Sequence, residues 1–135
     1  MTIETYSYSE EEKDQAIYEM LRGWAPEFFP LGELLPKLGV IVYDELGTAV
    51  CFLCADMSNN VPRAFLDHLQ TNPDASPMTR FKAVKMAEEF IVQELRRLNY
   101  SVINAVTLHA GIASIAQALD YTLYPKALIH LQKVI

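Results

Sequence analysis

The stretch 65-FLDHLQTNPDASPMTRFKAVKMAEEFIVQELRRLNYSVINAVTL-108 decides how this chain folds. Ser76 suits a helix N-cap, because its hydroxyl can accept a free amide of the first turn. Pro77 suits the first helical position, where no amide hydrogen is needed. Behind them Phe81, Val84, Ala87, Ile91, Leu95 and Leu98 recur every three or four residues and predict an amphipathic helix from about Pro77 to Leu98. After Asn99-Tyr100, the run Val102, Ile103, Ala105, Val106 and Leu108 reads as a strand covered on both faces. Ahead of the helix, Phe65, Leu66 and Leu69 would also suit one face of a short helix. A strand over Ala64–Thr71 is preferred, because Asn72-Pro73 ends it and the helix needs a parallel partner. Strand, crossover helix and strand make a right-handed parallel unit, whose ligands bind beyond the carboxyl ends of its strands. Here those ends are Asn72–Arg80 and His109–Ser114.

The helix start carries an unusual charge order. Arg80, Lys82 and Lys85 come early and Glu88, Glu89 and Glu94 late. A cation in the first turn costs about 0.3–1 kcal/mol against the helix dipole. Two readings fit. One is a solvated basic face with Asp74 nearby; the other is an anion, such as a phosphate, held at the helix N-terminus.

A chain of 135 residues suits one domain, 1–135, with a core of its own. A composition of 51% hydrophobic and 21% charged residues is that of an ordinary globular protein. Net charge −6 and pI near 5.0 argue against nucleic acid or an anionic membrane surface as partner. No run approaches the ~20 apolar residues of a membrane span. The opening MTIETYSYSEEEK is not a signal peptide, and two cysteines without an export signal lead us to expect a cytoplasmic setting.

In chain order, Ile3–Tyr8 alternates as a first strand, and Ser9 with Glu12 spells a capping box. A helix follows to about Arg22, burying Ala16, Ile17, Met20 and Leu21, with Gly23 as its stop. Trp24–Lys37 holds three prolines among six large apolar residues and predicts an irregular arm that packs down as a core lid or the border of a substrate cleft. Leu38–Tyr43 and Thr48–Cys54 form a hairpin around Asp44–Gly47. Ala55–Arg63 reads as a connector, His109–Leu119 as a short, mostly buried helix and Ala127–Val134 as a final antiparallel strand.

Cys51 and Cys54 match C-x-x-C, but residues three apart on a strand point to opposite faces. No second cysteine pair completes a zinc site, so buried core thiols are the better reading and no metal is expected. His68, His109 and His130 have no partners at metal spacing. Neither a G-x-S-x-G elbow nor a phosphate-binding glycine motif is present. Asp67 and His68 precede the ligand loop, where one of them suits a general base. Alternation lets only one face a cleft. The bland alternative is a surface residue beside a hydrogen-bonded, partly buried one.

The order of these elements resembles the GNAT N-acetyltransferase superfamily over nearly the whole chain. The resemblance implies one α/β (α+β) domain: a mixed, mostly antiparallel sheet with one splayed parallel pair and helices on both faces. In that family acetyl-CoA lies in the splay, here between Ala64–Thr71 and Val102–Leu108. The family's Q/R-x-x-G-x-G/A loop falls near Thr79-Arg80-Phe81-Lys82-Ala83-Val84, without either glycine. Its N-x-x-A-x-x-L-Y-x-K-x-G-F signature falls loosely on His109–Tyr121, with the Tyr that often serves as general acid at Ala116. The segment Asn72–Pro77 also resembles small divergent GNAT-like proteins of bacteriophages.

The resemblance implies an acetyl-CoA-dependent N-acyltransferase acting on an unidentified amine. The alternative is a catalytically inactive CoA-binding or protein-interaction module. It implies His68 or Asp67 as base, Leu69, Gln70 and Thr71 beside the thioester, and Met78, Thr79, Arg80, Phe81 and Lys82 at the phosphates. His109 and Ser114 would lie on the far side of the cofactor. A homodimer is compatible with it.

Overall fold

A computed structural model describes residues 1–27, 29–107, 110–124 and 129–135. Strand β1 (Thr2–Tyr6) leads to helix α1 (Glu12–Trp24) and, after a broken segment, to β2 (Leu38–Tyr43) and β3 (Ala49–Met57). Then come β4 (Arg63–Thr71), the long helix α2 (Pro77–Arg97), β5 (Val102–Thr107), α3 (Ala110–Ala118), β6 (Thr122–Tyr124) and β7 (Ile129–Val134). The strands form one sheet in the order β1-β2-β3-β4-β5-β7-β6. Among the described strands only β4 and β5 pair in parallel, and their register ends after three rungs at Phe65–Asn104. Beyond that rung the two strands part, as expected for the splayed pair.

Each face of the sheet has its own core. Tyr18 and Leu21 of α1 pack with Ile41, Phe52 and Cys54 on one face. Ala87, Ile91 and Leu95 of α2 and Ala113 of α3 pack with Val40, Val42, Cys51 and Leu53 on the other. The alternation along β2 and β3 is therefore satisfied on both sides, as the apolar runs require. Cys51 and Cys54 lie on opposite faces, both buried and free.

The α2 boundary follows the local chemistry. Ser76 Oγ accepts from the Thr79 amide at 3.2 Å, and Pro77 opens the helix. The inward face is Ala83, Val84, Ala87, Glu88, Ile91, Val92 and Leu95, while Phe81 and Leu98 stay more than a third exposed. In the hairpin loop Asp44 Oδ1 accepts from the amides of Leu46 and Thr48, and Gly47 takes φ 79°.

Several expectations need correction. The capping box does not form: Ser9 Oγ accepts from the Glu11 amide and donates to Asp14, and Glu11 is the N-cap. Gly23 does not stop α1, whose inward face centres on Tyr18 and Leu21 while Ala16 is exposed. Strand β1 ends at Tyr6, and β3 runs through Ala55–Met57, so the connector begins later. Helix α3 is half-buried, and β6 adds a strand that alternation did not reveal over so short a span. Leu108 and His109 lie outside the described residues. No described helix is long and apolar enough to cross a membrane.

Candidate active site

The splay leaves two adjoining cavities on the α2 and α3 side of the sheet. One, of about 390 Å³, lies between β4 and β5 beneath α3, lined by Leu66, Asp67, His68 and Leu69 from β4 and Ala105–Thr107 from β5. The other, of about 500 Å³, opens toward the start of α2 beside Leu69, Gln70, Thr71, Arg80 and Phe81. Leu69, Val84, Ile112 and Ile115 wall both, so the two run into each other.

Strand β4 is irregular where they meet. Its register against β3 slips between Phe52–Gln70 and Cys54–Asp67, which sets one extra residue on β4. His68 takes φ 51°, a left-handed conformation rare without glycine. This is a β-bulge. Leu66 and Leu69 both pack with the α2-side core. Asp67 pairs with Cys54 of the α1-side core, and the His68 ring stands edge-on to Phe29 of that core at 6.4 Å. Two consecutive residues thus share the α1 side. The alternation argument, which allowed only one of them to face the cleft, fails here because a bulge interrupts the period.

The bulge also makes Asp67 and His68 a pair. Asp67 Oδ1 accepts the His68 amide at 2.8 Å, and Oδ2 lies 3.3 Å from His68 Nε2. The imidazole is about four-fifths covered and the carboxylate half exposed, so the pair sits at the mouth of the gap. The arm borders this mouth, with Ala25 on the larger cavity, Phe29 against His68 and the Pro30 carbonyl held by the Tyr18 hydroxyl at 2.8 Å. Leu31 and Leu34 of the arm stay exposed.

At the helix start, Arg80 is the described residue with a buried side-chain polar atom, Nε, that has no hydrogen-bond partner. A guanidinium N–H left unpaired in a cleft wall is unfavourable unless an anion completes it. The backbone amides there are less available than the sequence implied. Thr79 N–H bonds Ser76 Oγ, Arg80 N–H bonds the Ser76 carbonyl and Pro77 has none. Met78 is exposed, and neither it nor Lys82, Thr79 or Ser114 lines either cavity.

A buried polar trio escaped the sequence reading. Glu88, 3% exposed, accepts at Oε1 from Lys133 Nζ at 2.9 Å and from the Tyr121 hydroxyl at 3.3 Å. Glu88 and Tyr121 line the smaller cavity. Burial, then the Glu88 charge, pushes the Tyr121 phenol well above its usual range. The one sequence signal was Glu88 itself, which falls between Ala87 and Ile91 on the inward side of the helix. No group of described residues could hold a metal ion.

This arrangement defines a class of fold: an α/β domain with a sheet split at one parallel pair. No family model and no curated protein matches the chain by sequence. Solved structures do match by shape. Aminoglycoside 6'-acetyltransferase type Ii superposes with TM-score 0.78 at 17% identity, covering 99% of this chain and 97% of that one. An aminoglycoside 6'-N-acetyltransferase complexed with coenzyme A gives 0.75 at 14%, with 99% and 97% covered. A GNAT superfamily phosphinothricin acetyltransferase from Sinorhizobium meliloti, in complex with AcCoA, gives 0.60 at 14%, with 90% and 69% covered. The chain has the fold of the GNAT acetyltransferases. The likeness of Asn72–Pro77 to bacteriophage proteins has no counterpart in these matches.

Proposed function

We propose that this protein is an acyl-CoA-dependent N-acyltransferase that uses acetyl-CoA or a close relative and acts on an amine. The observation that carries this reading is the bulge of β4 beside a split sheet, with an ionisable pair at its mouth and an unpaired Arg80 Nε at the helix end of the same cleft. The residues fit a CoA thioester. The Arg80 fork suits a pyrophosphate oxygen, and the channel past Thr71, Gln70 and Leu69 suits an extended chain along the β4 edge.

When bound, such a thioester supplies an electrophilic carbonyl and a thiol leaving group. A thiol with a pKa near ~8.5 leaves as thiolate without an acid, so alanine at position 116 is no obstacle. His68, oriented by the Asp67 carboxylate 3.3 Å away, takes a proton from the incoming ammonium. Backbone amides near Leu69–Thr71, beyond the last rung that β4 shares with β5, polarise the carbonyl. The amine approaches from the α1 side along the arm and the acyl donor from the α2 side, so the two meet through the gap.

Titration calorimetry with acetyl-CoA tests the reading, and acetyl transfer to a panel of amines follows it. Protein that ignores millimolar CoA and acyl-CoA thioesters alike ends it and leaves the interaction-module alternative.

A further inference from the structure

The smaller cavity exceeds the needs of a two-carbon acyl group. At about 30 Å³ per water-sized group, an acetyl displaces roughly 60 Å³. Adding the sulfur-bearing end of the CoA arm brings the total to roughly half of the 390 Å³ available. Most of the cavity wall is hydrocarbon, with Asp67, His68, Thr107 and Glu88 the polar exceptions. Leu66 and Ala105 follow the last paired rung of the split, Leu131 lies beside Ala105 in register and Leu53 sits opposite the bulge. Overhead are Val84 of α2 and Ala116 of α3. At the inner end, Tyr121 gives its hydroxyl to Glu88, which also holds Lys133. The polar groups there bond one another, so Tyr121 offers the cavity its ring.

A cleft of this size holds water against largely apolar walls until a ligand displaces it, and an acetyl group leaves most of that unfavourable contact in place. We infer that the acyl donor carries a linear apolar chain longer than acetyl, with its tail between Leu53, Leu131 and Ala116. The space suits on the order of four to eight carbons, at about one water volume per methylene. Ala116 sets the chain length, because a larger side chain at that position of α3 would occupy the tail's path. This inference rests on the acyltransferase reading.

The test is calorimetric binding of CoA and of acetyl-, butyryl-, hexanoyl- and octanoyl-CoA to the wild-type chain and to Ala116→Leu. In the wild type, affinity should rise about two- to fourfold per methylene until the chamber is full. In Ala116→Leu the preference for octanoyl-CoA over acetyl-CoA should fall at least tenfold. If CoA binds but affinity is flat or falls with chain length, the long-chain inference is wrong and the transferase reading stands. If neither CoA nor any thioester binds, both fall. Should Ala116→Leu fail to fold, the wild-type series decides alone.

Discussion

Arg80 and Glu88 lie two turns apart on one helix and meet opposite electrostatic fates. Glu88 is buried with two donors, whereas Arg80 keeps a buried Nε with none. Arg80→Ala should weaken acyl-CoA binding about tenfold or more, since a shielded charge-assisted contact is worth about 1.5–3 kcal/mol. The ligand-free variant should melt in urea no earlier than wild type, because a cation has left the positive end of α2. A variant that binds as well as wild type removes Arg80 from the phosphate site. Lys133→Met should behave in the reverse manner. It strands the Glu88 carboxylate in a low-dielectric wall and should cost about 3–5 kcal/mol of stability by urea melt. The partial exposure of Lys133 places the expected value toward the lower end of that range. None of this trio was legible as a unit. Glu88 falls on the inward side of its helix, but nothing local names its partners, and Lys133 joins it across 45 residues of chain through the β5–β7 pairing.

Among the elements, what the sequence made legible was what local chemistry controls. Ser76-Pro77 placed the start of α2, the apolar spacing placed its inner face, and strand geometry put Cys51 and Cys54 on opposite sides. What it hid was decided by tertiary register. The bulge at His68 has no glycine to mark it, and the capping-box pattern at Ser9 lost to a bond with Asp14. Two predictions belong to these elements. At φ 51°, glycine is free of the Cβ penalty, so His68→Gly should be more stable than His68→Ala by about 1 kcal/mol in urea, with both losing acyl transfer. Equal stabilities would mean that residue 68 is not left-handed in solution. In β3, burial lifts the Cys51 thiol from 9.0 to about 12 and raises Cys54 as well. A neutral acid whose folded pKa is raised adds stability below its unfolded pKa and loses it as pH climbs through the folded value. Stability should therefore decline from about pH 9 toward 12. Both thiols should resist alkylation at pH 8 until denaturant is added. Ready labelling of the folded protein at pH 8 contradicts their burial, and near-stoichiometric zinc that vanishes in Cys51→Ser contradicts their separation.

For the molecule as a whole, the proposed reading sets acyl donor and amine on opposite sides of the split sheet. With His68 acting as base and both described thiols buried away from the gap, transfer should be direct, and acyl-labelled donor should leave no covalent label on the protein when the amine is absent. A stable acyl-enzyme would refute the proposed order of events. The same split has a consequence for cooperativity. Beyond three parallel rungs, the β1–β4 half and the β5–β7 half are joined through α2 and its packing. Two lobes so joined should behave as separate foldons, with amide hydrogens of β5 and β7 exchanging well before those of β2 and β3. A ligand seated in the gap contacts both lobes at once. It should slow exchange in β5 and β7 far more than elsewhere and merge two opening events into one.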